Sequence, residues 1–177
     1  MSSDAQTQQR HTLAGLDKSQ AAMSVLPEAE KLYSGCLEGS AGQLASEFTA
    51  YRHSLRQVFR DGPIAIYERS RPGREPHEFE LVVIREQKER VLLDGSIIPA
   101  REAYPNSENW GTYGWSFPFS QRELVFELGR RMAASPCSYG QWMRHTLSHW
   151  KDKGRLPNAG EDAALVAAYP KREPSAA

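Results

Sequence analysis

Residues Phe79–Arg85 read F-E-L-V-V-I-R, Leu92–Pro99 read L-L-D-G-S-I-I-P, and Glu102–Phe117 read E-A-Y-P-N-S-E-N-W-G-T-Y-G-W-S-F. The first run is apolar on both faces at Leu81–Ile84, the pattern of a central strand rather than one open to water. In the second, Val91–Leu93 and Ile97–Ile98 flank Asp94-Gly95, a dipeptide that supplies the positive φ angles of a type I′ hairpin. Pro99 cannot donate to a ladder and predicts an edge. Ile64–Arg69 precedes these as a further strand, separated by a polar turn with Pro72, Gly73 and Pro76. Three or four antiparallel strands follow.

Working outward, helical periodicity brackets this sheet. Pro27 suits a first helical turn, and Ala29, Leu32, Tyr33, Cys36 and Leu37 form one apolar stripe, predicting a helix over 27–38. Gly39 stops it, and Ser40 with Gln43 has the spacing of a capping box. Leu44, Phe48, Tyr51, Leu55 and Val58 or Phe59 then predict a helix over 41–60. On the other side, Ser120 with Glu123 and Ser138 with Gln141 repeat the box, and Phe119 is placed to staple onto Leu124. The stripes Leu124, Leu128, Met132 and Tyr139, Met143, Leu147, Trp150 predict two C-terminal helices, the second closed by Gly154 and Pro157. A short helix near 161–168 is compatible with the remainder. The expected fold is α+β: two N-terminal helices, a small antiparallel β-meander, and two C-terminal helices packed on the sheet. The expected organisation is a disordered arm over 1–26, one domain over 27–156 and a flexible tail over 157–177.

Composition narrows the function classes. The 22 basic and 22 acidic residues cancel, so no global field draws the chain to nucleic acid or an acidic membrane. Cys36 and Cys137 lie in no metal or redox spacing, which favours a reducing, cytoplasmic setting over a disulfide scaffold. The start of the chain lacks a cationic, then apolar, leader, and no apolar run approaches the ~20 residues of a membrane span. No phosphate loop, dinucleotide fingerprint or nucleophile elbow is present.

Three patterns could still carry function. Tyr104, Trp110, Tyr113 and Trp115, with Arg101 beside them, predict an aromatic contact loop for a partner protein, because Trp and Tyr dominate binding hot spots. Burial of the two tryptophans beneath the terminal helices is the competing outcome. Arg130, Arg131, Arg144, Lys151, Lys153 and Arg155 face one acid, Asp152, and the helix over 139–153 offers a nucleic-acid surface as the alternative. His145 and His149 share a helix face, but Thr146 stands where the zinc-protease glutamate would be, so no metal ligand set is assigned. An enzyme of unrecognised type would need a cleft that brings distant groups together, for instance His145 or His149 near Glu78 or Glu80, which alternate with Phe79 and Leu81 on one strand face. His53 and His77 stand isolated in sequence, and no cofactor is expected.

The runs Y-E-R-S at Tyr67–Ser70, F-E-L-V at Phe79–Val82 and E-A-Y-P…W-G…G-W-S-F between Glu102 and Phe117 resemble small uncharacterised proteins of bacterial plasmids and other mobile elements. The resemblance implies a bacterial accessory protein and gives no residue a role. Taken together, the expectation is a soluble, cytoplasmic, non-catalytic protein that binds a partner protein and no membrane, with its oligomeric state open.

Overall fold

The computed structural model of the chain describes residues 42–171. Its centre is a five-stranded antiparallel sheet in the order β1 (Glu47–Ala50), β2 (His53–Asp61), β3 (Ile64–Ser70), β4 (Glu78–Val83) and β9 (Gly114–Pro118). Between β4 and β9 the chain leaves the sheet as an arm. In it β5 (Arg85–Gln87) pairs with β8 (Arg101–Ala103), and β6 (Arg90–Val91) pairs with β7 (Ile97–Ile98). Three helices follow: α1 (Arg122–Ala134), α2 (Tyr139–Lys153) and α3 (Ala159–Ala168). The fold is α+β.

Both faces of β3 and β4 are covered, which is why Ile64–Tyr67 and Phe79–Ile84 are buried without interruption. Ile64, Ile66, Phe79, Leu81 and Val83 point to one side and meet Val125, Leu128 and Met132 of α1 with Trp142 and Met143 of α2. Gly129 belongs to the same stripe of α1. A Cβ there would lie 3.0 Å from Ile66 Cδ1, so its absence lets the helix seat closely on β3. Ala65, Tyr67, Val82 and Ile84 point to the other side and meet Leu44, Phe48, Leu55 and Tyr104.

The expected pair of N-terminal helices is overturned. The helix over 41–60 is instead β1 and β2, joined through a two-residue loop, Tyr51-Arg52; the helix over 27–38 and the arm over 1–26 lie outside the described residues. Two features disguised the strands as a helix. A β-bulge between Gln57 and Phe59 breaks the two-residue alternation, so Leu55, Val58 and Phe59 fall at helical spacing. The loop also carries no turn residue: Tyr51 (φ 50°) and Arg52 (φ 64°) both occupy the left-handed region. That is the geometry of a type I′ hairpin, usually filled by Asn-Gly.

Other expectations are corrected in detail. Asp94-Gly95 does close a hairpin, but Gly95 (φ 81°) alone has positive φ, after a Leu92–Gly95 turn whose ends bond at 3.0 Å. This is the longer, bulged loop rather than type I′. Ser138 stands at the N-cap of α2 without a side-chain bond, and α1 is preceded by a 3₁₀ turn, Phe119–Gln121, instead of a Ser120 cap. A complete capping box does exist, at Asn158 and Glu161 of α3. Among the described residues no helix is long and apolar enough to cross a membrane.

Each left-handed L-residue costs about 1–2 kcal/mol, and glycine returns some of that as chain entropy. Arg52 is exposed, so Arg52→Gly should raise stability by about 0.5–1 kcal/mol in urea unfolding. A loss of stability would show that the Arg52 side chain itself supports the turn.

Candidate functional site

The aromatic loop folds across the sheet face opposite the helices. Pro105 and Asn106 turn the chain, a 3₁₀ turn spans Ser107–Asn109, and Gly111 (φ 81°) reverses it so that its N–H bonds Gly114 O at 2.8 Å. Trp110 lies directly over Gly114, where an added Cβ would fall 1.8 Å from the indole. Phe48, Tyr67 and Tyr104 meet edge-on with ring centres 5.3–5.6 Å apart, and Trp110 extends the group at 6.4 Å from Tyr104. Tyr104 is buried and Trp110 half-buried. Trp115, one residue beyond Gly114, packs with the helix-side core, so the two tryptophans lie against opposite faces of the sheet. Tyr113 is half-buried beneath the Arg85 guanidinium, 4.8 Å from its ring centre, and Arg101 Nε donates to Gln87 Oε1 at 3.3 Å. These two predicted site residues therefore sit at the root of the arm.

At the border of the same face is a polar cluster that local sequence does not announce. Glu80 is almost wholly buried; its carboxylate accepts the Tyr104 hydroxyl and lies 3.2 Å from Arg69 Nη1. Arg69 Nη1 also donates to Glu78 at 2.9 Å, and Arg69 Nη2 is 3.2 Å from His53 Nε2. His77 stands 6.0 Å from His53, ring to ring. Burial raises the Glu80 carboxyl above its ordinary value against the opposing pull of Tyr104 and Arg69. Burial first, then the neighbouring carboxylate, raises the Tyr104 phenol well above 10. Tyr104 is thus a fixed hydrogen-bond donor. His53, Arg69 and Glu78 converge because His53 and Glu78 flank Arg69 across adjacent strands, although they lie 16 and 9 residues from it in sequence.

The basic residues divide into two sets. Arg130 and Arg131 both bind Glu127, holding its carboxyl below the usual range, and Arg131 also donates to Pro157 O at 2.7 Å. Arg155 binds Glu161, whose carboxyl it holds down at about 2. Arg131 and Arg155 tie α3 and the loop before it to α1 and the end of α2, whereas the Arg130–Glu127 pair stays within α1. Arg144, Lys151 and Lys153 are exposed on α2. His145 bonds the Tyr169 hydroxyl at 2.7 Å and His149 lies 3.6 Å from Glu161. Their helix packs on the face opposite Glu80, so neither His145 nor His149 comes near Glu78 or Glu80. Burial raises the Cys137 thiol, leaving it protonated and unreactive. Among the described residues no group of three or more His, Cys, Asp or Glu is placed to hold a metal.

The arm is the remaining feature, and its sequence signal was the hairpin itself. Residues 85–97 are exposed throughout. At its outer end Val91 and Ile97 are 67% and 61% exposed, Leu92 is 40% exposed, and Leu93 projects entirely into solvent. Comparison with known protein-family models, curated proteins and solved structures gave no match.

Two substitutions test this geometry. Gly114→Ala must displace the Trp110 ring and should cost about 1–3 kcal/mol, with a red-shifted indole emission. Tyr104→Phe removes a bond to a buried charge and should cost about 1.5–3 kcal/mol where Glu80 is ionised. Because that bond lowers the Glu80 pKa, the deficit should grow as pH rises through it and shrink below 4.5. A deficit independent of pH in urea titrations would exclude the coupling.

Proposed function

We propose that this chain is a small non-catalytic accessory protein that captures a partner protein, with the tip of the arm as its principal contact. The observation that carries the reading is the outward display of Val91, Leu92, Leu93 and Ile97 on a two-stranded projection. Four large aliphatic side chains in water, away from both cores, forfeit burial energy that a folded chain ordinarily keeps. The projection is narrow, built of two short strand pairs of three and two residues, a shape that suits a groove better than a flat surface. Lys88, Glu89, Arg90 and Asp94 surround the tip with both signs of charge, which favours a neutral apolar groove over an anionic polymer or lipid surface.

In this reading the aromatic loop roots the arm. Arg85 over Tyr113 and Arg101 against Gln87 brace its base, while Val83 N bonds Tyr113 O at 2.8 Å. The resemblance of the Tyr67–Ser70, Phe79–Val82 and Glu102–Phe117 runs to plasmid-borne proteins supports a bacterial mobile element as the source and a host or element protein as the target. The nucleic-acid alternative is weakened by the engagement of Arg130, Arg131 and Arg155 with internal carboxylates.

A photo-crosslinking residue in place of Leu93, expressed in the native host, should yield one dominant protein adduct, and one in place of Arg144 should not. The double variant Val91→Ser/Leu93→Ser should eliminate binding to that protein while changing stability by no more than about 0.5 kcal/mol. Adducts to lipid or nucleic acid alone, or undiminished binding by the double variant, would overturn the proposal.

A further inference from the structure

At the end of the sheet away from the arm, β1, β2 and β3 bring two polar rows together around an open hollow of about 410 Å³. Cross-strand register places Thr49 opposite Ser54 and Ser54 opposite Ser70, three hydroxyls in line across three strands. One step along, Glu47 stands opposite Arg56 and Arg56 opposite Glu68. Glu68 and Ser70 alternate with Tyr67 and Arg69, so both rows share the face of Ile64 and Ile66. Strands stand about 4.8 Å apart and alternate residues about 6.8 Å, so the rows span roughly 10 Å by 7 Å.

These groups are not spent on one another. Thr and Ser hydroxyls opposed across a ladder are able to bond, yet none of the three bonds any described residue. Glu68 is only 9% exposed. Its Oε2 accepts from Arg56 Nη2, while Oε1 takes no bond from a described residue and still reaches solvent. A carboxylate so enclosed has given up most of its water and keeps one acceptor turned to the hollow that it lines. The exposed Arg56 keeps Nε and Nη1 without a described acceptor.

We propose that this hollow is a binding site for a neutral saccharide. A sugar hydroxyl both donates and accepts, and the lining calls for both: Glu68 Oε1 only accepts, Arg56 only donates, and Thr49, Ser54 and Ser70 do either. Adjacent hydroxyls of one ring then span the carboxylate and the guanidinium while others meet the hydroxyl row. Ions fit less well. Glu68 neutralises Arg56 and Glu47 stands opposite it, so an anion meets net negative charge, and an ammonium group would sit beside the guanidinium. Pro76, half-buried at the rim, offers ring carbons to the C–H face of a sugar. The volume falls within the range of small-molecule sites. This site is independent of the partner-capture reading: Ser70 ends β3, whereas Ile64, at its start, pairs with Val83 where the arm departs.

The test is NMR titration of the full chain with glucose, galactose, mannose and N-acetylglucosamine, each free and as an oligosaccharide linked to a carrier peptide. Spermidine and inorganic phosphate serve as ionic probes. At least one sugar should shift the amides of residues 47–49, 54–56 and 68–70 saturably, with a Kd of about 1 mM or tighter. Saturation by the free sugar identifies a soluble saccharide, and saturation by the peptide-linked form alone a glycoprotein; both uphold the site. Ser54→Ala/Ser70→Ala should weaken that binding about tenfold, the worth of two neutral hydrogen bonds, and Arg144→Ala should leave it unchanged. Should the double variant fail to fold, Thr49→Ala on the edge strand takes its place, with about a threefold loss expected. No saturable shift with any sugar, saturation by spermidine or phosphate alone, shifts confined to other parts of the fold, or undiminished binding by the hydroxyl variants would remove the site.

Discussion

Closure of both faces of β3 and β4 is the constraint to which the rest of the fold answers. Two strands that are apolar on alternate sides need two covers, and the chain supplies unlike ones. The helix side is conventional, with α1 drawn close by Gly129 and α2 beyond it. The opposite side has no helix among the described residues. It is covered by a group of aromatic rings from β1, β3 and the loop before β9, with Trp110 seated on Gly114. Gly140 at the start of α2 meets the backbone of Thr112 at close range, so the loop is held from the helix layer as well.

Polar chemistry enters where that second cover ends. Glu80 occupies an inward position of β4 and would be an isolated buried charge without Tyr104 and Arg69. Buried charge is tolerated only when paired and hydrogen-bonded, so Arg69 has to reach inward. Its position beside His53 follows from cross-strand register. An apolar requirement at the sheet centre thus generates a titratable cluster at its border, beside the start of β2. The arm answers to a different demand: it branches from β4 where the core stops and returns before β9, adding nothing to either core.

Particular residues show why some of this was legible and some was not. Leu81–Ile84 announced a central strand because doubly buried strands cannot alternate. Gly154 at the end of α2 does stand at φ 67° as a left-handed cap, as its position after the apolar stripe suggested. Of the expected α1 stripe, Leu128 and Met132 are fully buried and Leu124 packs half-buried beside them; Val125 and Gly129 widen that face, and Gly129 was not legible because a glycine contributes closeness and carries no hydropathy to read. Over 41–60 periodicity misled: one bulge converted a strand's alternation into a helix's, and a hairpin loop of Tyr and Arg lacks the residues by which such turns are recognised. The cluster of His53, Arg69, His77, Glu78 and Glu80 left no local trace, since neighbours across a ladder are distant in sequence.

The amino-acid sequence alone determined an α+β chain with a doubly buried central strand, a hairpin at Asp94-Gly95 and helices after residue 120, because hydrophobic period and turn chemistry are local properties. Only the tertiary structure decided that β1 and β2 are strands, that Trp110 and Trp115 serve opposite faces, and that Glu80 meets Tyr104 and Arg69. Those outcomes depend on register and on which surfaces remain to be covered, and both come into being only when segments far apart in the chain are packed together.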